Sequence, residues 1–209
     1  MRIFLDEVDY RKFLYILGDV FDVCDIDCWD LCVMPNHYHL ALMNHQPNLS
    51  RAMQHLNGEY ATWWNAAHGV VGHTFQGRYK DQIVQREGYV MNLLRYIALN
   101  PVRAGLVRSP EMWPWSGYRW TAGFAPSPGL VRSEIVLSQF GDGPSAALRE
   151  RYVRHIRATL VDDAERFQGL RSRRRVLGDR QFKSRVLTPL APGAELSTTV
   201  APLVAIGFP

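Results

Sequence analysis

Two histidines at spacing two occur in the segment VMPNHYHLAL, residues 33–42. Side chains at alternate positions of a β-strand lie on one face, so His37 and His39 would converge on one point if this segment is a strand. Two neutral imidazoles can bind one divalent ion, but a closed structural zinc site needs four protein ligands. The pair therefore predicts either an open, catalytic metal site or two exposed histidines on a hairpin.

A tyrosine and an asparagine four residues apart occur in RYIALNPVRAG, residues 95–105. Tyr96 and Asn100 would face the same direction on a helix, although Pro101 disfavours the helical conformation for Asn100 and predicts that the regular turn ends there. The amide oxygen of Asn100 suits Mg²⁺ or Mn²⁺ as a further ligand. A nearby cation would favour a phenolate at Tyr96, which can attack phosphorus. An isolated pair of this kind is more often half-buried packing and a helix terminator.

The hydrophobic pattern predicts the elements that position these side chains. They are, in chain order, a helix over 5–21 with Asp6 as N-cap, a β-hairpin over 24–43, a helix over 48–69, a strand over 72–84 and a helix over 87–107. This order predicts an α+β fold with helices packed on a small antiparallel sheet.

Three cysteines recur every four residues, at positions 24, 28 and 32. Their spacing fits none of the common zinc or iron–sulfur patterns. We expect Cys24, Cys28 and Cys32 to behave as small hydrophobes on one face of the first strand.

Charge is distributed unevenly along a chain whose net charge is +4. Residues 1–30 carry three basic and eight acidic side chains, whereas residues 144–188 carry twelve basic and five acidic ones. Pro, Gly and Ser are dense over 126–143, which predicts a linker between a domain at 1–125 and a basic helical segment at 144–188. That segment predicts contact with a nucleic-acid backbone, with a solvated helix face as the alternative. We expect a loose tail over 189–209.

Membrane insertion and export are not indicated by the sequence. No run of about 18 apolar residues occurs, and the N-terminus MRIFLDEVDY lacks the pattern of a signal peptide. We therefore expect a cytoplasmic protein with reduced cysteines.

Four blocks together resemble, in order and spacing, the REP-associated tyrosine transposases, which are relatives of the insertion-sequence transposases of the single-tyrosine HUH class. The blocks are MPNHYHL, FQGRYKDQIV, LLRYIALNPVRAGLV and PWSGY. The resemblance covers residues 2–125, and residues 165–187 also look like the C-terminal segment of many such proteins. It implies a ferredoxin-like fold with a four-stranded antiparallel sheet. Members cut single-stranded DNA beside hairpin sequences and leave a 5′-phosphotyrosine and a free 3′-hydroxyl.

The resemblance, carried over by position, implies a role for each candidate residue. His37 and His39 would be the metal-binding pair, Asn100 the third ligand and Tyr96 the nucleophile. The cofactor would be a divalent metal, Mg²⁺ or Mn²⁺, and the partner would be single-stranded or hairpin DNA. The protein would act as a monomer or a homodimer, and no membrane partner is expected.

Cationic and aromatic residues near these blocks are candidates for contacts with DNA. The candidates for phosphate contacts are Arg78, Lys80, Arg103, Arg171, Arg173, Arg174 and Arg175. Trp113, Trp115 and Tyr118 are expected to pack beneath the sheet, with stacking on unpaired bases as the alternative.

Two other classes of protein share part of this pattern. A barrel hydrolase with His-x-His at a strand end needs about 250 residues, more than the 209 of this chain. A catalytically impaired or domesticated DNA-binding regulator would keep the fold and the basic C-terminus. Such a regulator would not need Tyr96, Asn100 and both histidines together.

The N-terminus is short relative to the family pattern. Members begin with a strand before the segment that matches RIFLDEVDYRKFLYIL, whereas here that segment follows Met1 directly. We therefore expect three of the four strands, with the strand at 72–84 either separated by a gap or moved in beside the histidines. We also expect the chain to be inactive or weakly active.

Overall fold

A computed structural model describes residues 2–158, 176–187 and 203–207. Helices pack on a mostly antiparallel sheet, so the α+β fold class predicted from the sequence is confirmed. Within these residues, no helix is both long enough and apolar enough to cross a membrane.

The first helix begins after Asp6 as predicted but runs to Cys24, three residues beyond the predicted end, and the second helix ends at the predicted glycine. The side chain of Asp6 accepts hydrogen bonds from the backbone N–H groups of Val8 and Asp9 and so caps the first helix. The second helix ends at Gly69, whose φ of 64° lies in the left-handed region that favours glycine. The helices of the described residues are α1 (Glu7–Cys24), α2 (Leu49–His68), α3 (Arg86–Arg103), α4 (Gly117–Thr121), α5 (Ser133–Ser138), α6 (Ser145–Arg157) and α7 (Arg180–Leu187).

The strands of the described residues form one five-stranded sheet in the order β1-β2-β5-β3-β4. They are β1 (Ile26–Met34), β2 (His37–Asn44), β3 (Lys80–Val84), β4 (Val176–Leu177) and β5 (Leu203–Gly207). All neighbouring strands are antiparallel except β3 and β4, which run parallel. The β1–β2 pair is the predicted hairpin.

The strand β5 lies between the histidine strand β2 and β3. Ile206 pairs with Leu40 on one side and with Asp81 on the other. The expected loose tail is therefore wrong for residues 203–207, while the rest of 189–209 lies outside the described residues. Residues 2–125 supply the three expected strands, and β3 is separated from β2, but β5 fills the space between them, so the expectation of an open gap or of β3 beside β2 is wrong. Pairing on both sides removes the cost of unpaired buried backbone groups, about 1–3 kcal/mol each.

The strand β3 is shorter than the predicted strand over 72–84. Gly72 has a φ of 123°, and its carbonyl accepts a hydrogen bond of 2.9 Å from the side chain of Asn65, so the chain turns here. Arg78 consequently precedes the strand and Lys80 begins it.

A bulge in β1 changes which face its side chains occupy. The pairing with β2 shifts by one residue between Cys28 and Asp30, which leaves Trp29 as the extra residue. Cys28 and Cys32 consequently pack on opposite faces of the sheet, so the predicted common face is wrong. Cys24 is the last residue of α1, and all three cysteines are buried as free thiols.

Two apolar cores lie on the two faces of the sheet. One joins α1 and α2 to the sheet through Phe13, Leu17 and Tyr60, which are fully buried. The other joins α3 and α6 to the opposite face. The histidine strand therefore lies between two packed layers, which restricts its movement.

The PWSGY segment, residues 114–118, covers the outer edge of β1. The backbone N–H of Val33 donates to the carbonyl of Trp115 at 2.9 Å, and Ser116 forms a β-bridge with Cys32. Gly117 passes so close to β1 that an added Cβ would lie 2.5 Å from Oδ1 of Asp30. Glycine at this position lets the segment protect the edge strand.

Candidate active site

The two histidines converge at the start of β2, as the strand period predicts. Their Nε2 atoms lie 3.1 Å apart, and their ring centroids are separated by 4.8 Å. The preceding turn is attached to the N-terminal segment, because Pro35 accepts backbone hydrogen bonds from Ile3 and Phe4 at 2.9 and 3.1 Å. This anchoring positions the first residue of β2.

The side chain of Asn36 orients His37. Nδ1 of His37 lies 2.8 Å from Oδ1 of Asn36, so the Nδ1–H donates to the amide oxygen. This bond places the proton on Nδ1 and leaves Nε2 of His37 as a lone-pair donor, which is the usual way in which a second polar group prepares a histidine ligand. Sequence reasoning missed this role of Asn36, although its place directly before the pair was a signal.

Burial keeps both histidines neutral. Loss of hydration lowers the pKa of His37. Burial, with a smaller contribution from His37, lowers the pKa of His39 to about 3, while a hydrogen bond with Asn100 opposes that shift. Neutral imidazoles are the form that binds metal ions.

The helix α3 places Tyr96 against the histidine pair. The ring of Tyr96 meets that of His39 edge to face, with centroids 5.4 Å apart. The aromatic side chain is half-buried and packs against the core between α3 and the sheet. The predicted nucleophile and the predicted metal pair are thus neighbours.

The helix α3 continues through Pro101, contrary to the prediction that the regular turn ends at Asn100. Proline lacks an N–H, so the helix loses one backbone bond there. Side chains add bonds at the preceding turn: Nδ2 of Asn100 donates to the carbonyl of Tyr96 at 2.8 Å, and Nη1 of Arg103 donates to the same oxygen at 3.4 Å. Asn100 therefore stays in register with Tyr96 and beside His39.

The predicted phosphate-binding residues fall into three groups. The guanidinium of Arg103 lies 5.6 Å from the ring centroid of Tyr96, inside the site. Lys80 is exposed, and Gly207 pairs with both Lys80 and His39, so the two side chains occupy one row of the sheet about 10 Å apart. Arg78 is exposed and lies just before β3. The remaining four, Arg171, Arg173, Arg174 and Arg175, lie outside the described residues.

The site has a donor set that fits a divalent metal. Two nitrogen ligands at right angles around one ion, each about 2.1 Å from it, lie roughly 3 Å apart, close to the 3.1 Å between the two Nε2 atoms. In the described part of the chain, no group of three or more His, Cys, Asp or Glu side chains could hold a metal. An ion here would therefore use His37, His39, the amide oxygen of Asn100 and ligands from outside the protein.

The aromatic residues of the region pack as expected. The indole N–H of Trp113 donates to the carbonyl of Val33 at 2.9 Å. Trp115 stacks on Tyr10 with centroids 4.6 Å apart, and Tyr118 is fully buried. These contacts favour the packing interpretation over base stacking.

Comparison with known proteins places these residues within one matched region. Residues 2–100 match the family described as transposase IS200 like. The match includes His37, His39, Tyr96 and Asn100. No curated protein and no solved structure matches the chain significantly. Similarity to this transposase family over residues 2–100 supports an activity on DNA.

Proposed function

We propose that this chain is a DNA transposase or endonuclease that cuts and rejoins single strands beside hairpin sequences, with Tyr96 as the nucleophile. The convergence of Tyr96, the histidine pair and Asn100 supports the proposal most strongly. The match of residues 2–100 to the IS200-like transposases agrees with it.

In the proposed reaction, the phenol oxygen of Tyr96 forms a bond to the phosphorus of a DNA phosphodiester. The bond from phosphorus to the 3′ oxygen breaks, the phenol proton is lost, and the leaving 3′ oxygen takes up a proton. The products are a 5′-phosphotyrosine and a free 3′-hydroxyl. Because the ester conserves the energy of the broken bond, attack by a 3′-hydroxyl in the reverse direction rejoins DNA without another energy source.

The surrounding side chains have separate tasks in this proposal. His37 and His39, kept neutral by burial, supply two nitrogen donors, and Asn100 supplies an amide oxygen. A bound Mg²⁺ or Mn²⁺ would polarise the phosphate. Arg103 lies over the Tyr96 ring, where its guanidinium can neutralise charge on the phosphate oxygens. Lys80, on the row of His39, can contact the adjoining backbone.

The finer features of the proposal rest on the four sequence blocks. They are the REP-associated subtype, the preference for hairpin DNA, a monomer or homodimer, and a cytoplasmic location. Each of them stays a prediction.

Nicking of labelled single-stranded DNA that contains a hairpin tests the proposal. We expect Mn²⁺-dependent cutting by the wild type, and its loss in Tyr96→Phe, which removes only the phenol oxygen. Tyr15→Phe is the matched control, since Tyr15 is exposed on α1. Binding to the hairpin without cutting by the wild type would instead favour the DNA-binding regulator. Equal cutting by Tyr96→Phe and wild type would reject Tyr96 as the nucleophile.

A further inference from the structure

A basic groove lies beside α6, apart from the histidine site. It has a volume of about 670 Å³. Its lining residues are Ala122, Phe124, Arg149, Glu150, Val153, Arg154, Arg157 and Ala158. None of these residues contributes to the candidate active site, and we refer to this surface as the Phe124 groove.

The arginines of the Phe124 groove follow the period of α6. Arg149, Val153 and Arg157 are spaced by four residues, and Arg154 precedes Arg157 by three, so neighbouring members of this set lie next to each other on the helix surface and all four line the groove. Arg157 pairs with Glu111 at 2.8 Å. Among the described residues, Arg149 and Arg154 have no ion-pair partner, and both are exposed. Two guanidinium groups are therefore available to an anionic ligand.

The groove has an aromatic surface next to these charges. Phe124 is 44% exposed, so part of its ring is open to solvent. The guanidinium of Arg157 lies 5.8 Å from its ring centroid. The buried ring of Tyr118 supports it from the protein side, with centroids 5.8 Å apart. The exposed part of the Phe124 ring is thus held in place beside Arg149 and Arg154.

We propose that the Phe124 groove binds an unpaired nucleotide of single-stranded nucleic acid. Its base would stack on Phe124, and its flanking phosphates would contact Arg149 and Arg154. Single-strand-binding surfaces combine cationic side chains along the backbone with aromatic rings under the bases, and this groove has both. The proposal rests on the proposed function only in that a DNA strand is the substrate.

The position of α6 connects the groove to the active site. Nε2 of His155 lies 3.0 Å from the carbonyl oxygen of Met91 in α3, the helix that carries Tyr96. The groove therefore lies on a helix that packs directly against the helix carrying Tyr96. An acidic segment of another protein is the competing occupant, since it would use the arginines without needing a flat aromatic partner.

Fluorescence anisotropy with two probes tests the proposal without any cleavage. One probe is a labelled oligothymidylate of roughly a dozen nucleotides, and the other is a backbone of the same length without bases. We expect Phe124→Ala to weaken binding of the oligothymidylate about fivefold to a hundredfold, and to leave binding of the abasic backbone unchanged. We expect Arg149→Ala with Arg154→Ala to weaken binding of both probes. The same variant should make the slope of log affinity against log salt concentration shallower by about 1.4.

A double variant on the opposite face of the sheet is the matched control. Arg11→Ala with Arg51→Ala removes the same charge from exposed positions of α1 and α2, and should alter the slope less than the groove variant. An unchanged affinity for oligothymidylate in Phe124→Ala, with its melting temperature preserved, would overturn base stacking. Equal slopes in the two double variants would overturn the phosphate contacts. If the groove variants weakened binding of a labelled acidic peptide but left binding of both DNA probes unchanged, the groove would be assigned to a protein partner. These results do not depend on whether Tyr96 forms an adduct.

Discussion

At the scale of single residues, hydrogen bonds and burial prepare the histidines before any ligand binds. Asn36 holds the proton of His37 on Nδ1, and burial keeps His39 neutral. The convergence of the pair was predictable because a strand has a period of two, and the proximity of Tyr96 and Asn100 because a helix brings residues four apart together. The orienting bond from Asn36 was not predictable, since it depends on the turn geometry.

Removal of both imidazoles should abolish the effect of metal on stability. A metal that binds only the native state increases the free energy of unfolding, by about 2.7 kcal/mol at a hundredfold excess over the dissociation constant, and so raises the melting temperature. We expect His37→Ala with His39→Ala to eliminate the Mn²⁺-induced shift in differential scanning fluorimetry. His45→Ala with His55→Ala is the control and should keep the shift. A persistent shift in the first variant would place the metal elsewhere.

The burial of Asp30 predicts a second effect at the scale of residues, a dependence of stability on pH. Its side chain is 1% exposed, and Oδ2 has no hydrogen-bond partner among the described residues. Burial raises the pKa of Asp30 well above its usual range, while the bond from the Leu31 N–H opposes this only in part. Above the unfolded pKa of about 3.9, the native state keeps a proton that the unfolded state releases. The contribution of Asp30 to the free energy of unfolding therefore falls as pH rises, by up to about 1.4 kcal/mol per unit until the folded pKa is reached.

Asp30→Asn should remove this dependence. The amide has the same shape and cannot ionise, so we expect the variant to be more stable than the wild type, with a larger gain at about pH 8 than at about pH 5. Urea denaturation across pH measures the difference. Asp19→Asn, an exposed change on α1, should show no such trend. A gain that is constant with pH would contradict an elevated pKa for Asp30.

At the scale of elements, local patterns predicted what local sequence controls. The hairpin, the caps of α1 and α2, and the helix around Tyr96 follow from period and capping residues. The position of β5 could not be predicted, because the short apolar segment LVAIG has no local signal for partners more than a hundred residues away. The bulge at Trp29 could not be predicted either, since one extra residue in a strand has no distinctive composition.

Disruption of β5 should loosen the histidine strand. Ala205 pairs with Ala41 on one side and Gln82 on the other, and proline in a central strand removes a ladder bond. We expect Ala205→Pro to lower the free energy of unfolding by several kcal/mol, on the order of 3. Hydrogen exchange should accelerate at the amides of β2 and β3. Ser127→Pro, in an exposed loop, is the control. Unchanged hydrogen exchange in β2 and β3 of Ala205→Pro would contradict the position of β5 between them.

At the scale of the whole molecule, the sheet separates two differently charged layers. The first 30 residues, which include all of α1, are acidic, whereas α6 is basic and packs with α3 on the opposite face. Removing residues 144–209 as a test of the basic segment would also delete β5, so its effect on DNA binding would mix lost charge with lost structure. Single side chains are the better test.

Neutralising the cations beside the active site should reduce the salt dependence of binding to single-stranded DNA. We expect Lys80→Ala with Arg103→Ala to reduce the slope of log affinity against log salt by about 1.4. Adding Arg78→Ala should reduce it by about 0.7 more if Arg78 also contacts a phosphate. Filter binding over a range of salt gives the slopes, and Arg11→Ala with Arg51→Ala provides the comparison. Identical slopes in all variants would show that the bound DNA does not contact these cations beside β3.

The central claim is that Tyr96 becomes covalently joined to DNA, and peptide mapping of the adduct tests it most directly. The wild type would be incubated with Mn²⁺ and hairpin-bearing single-stranded DNA, then digested with protease and nuclease and analysed by mass spectrometry. We predict a nucleotide attached through its 5′ phosphate to the peptide that contains Tyr96, and no modified peptide in Tyr96→Phe. A nucleotide attached to any other residue, or DNA cut with no protein attached, would contradict the proposed mechanism.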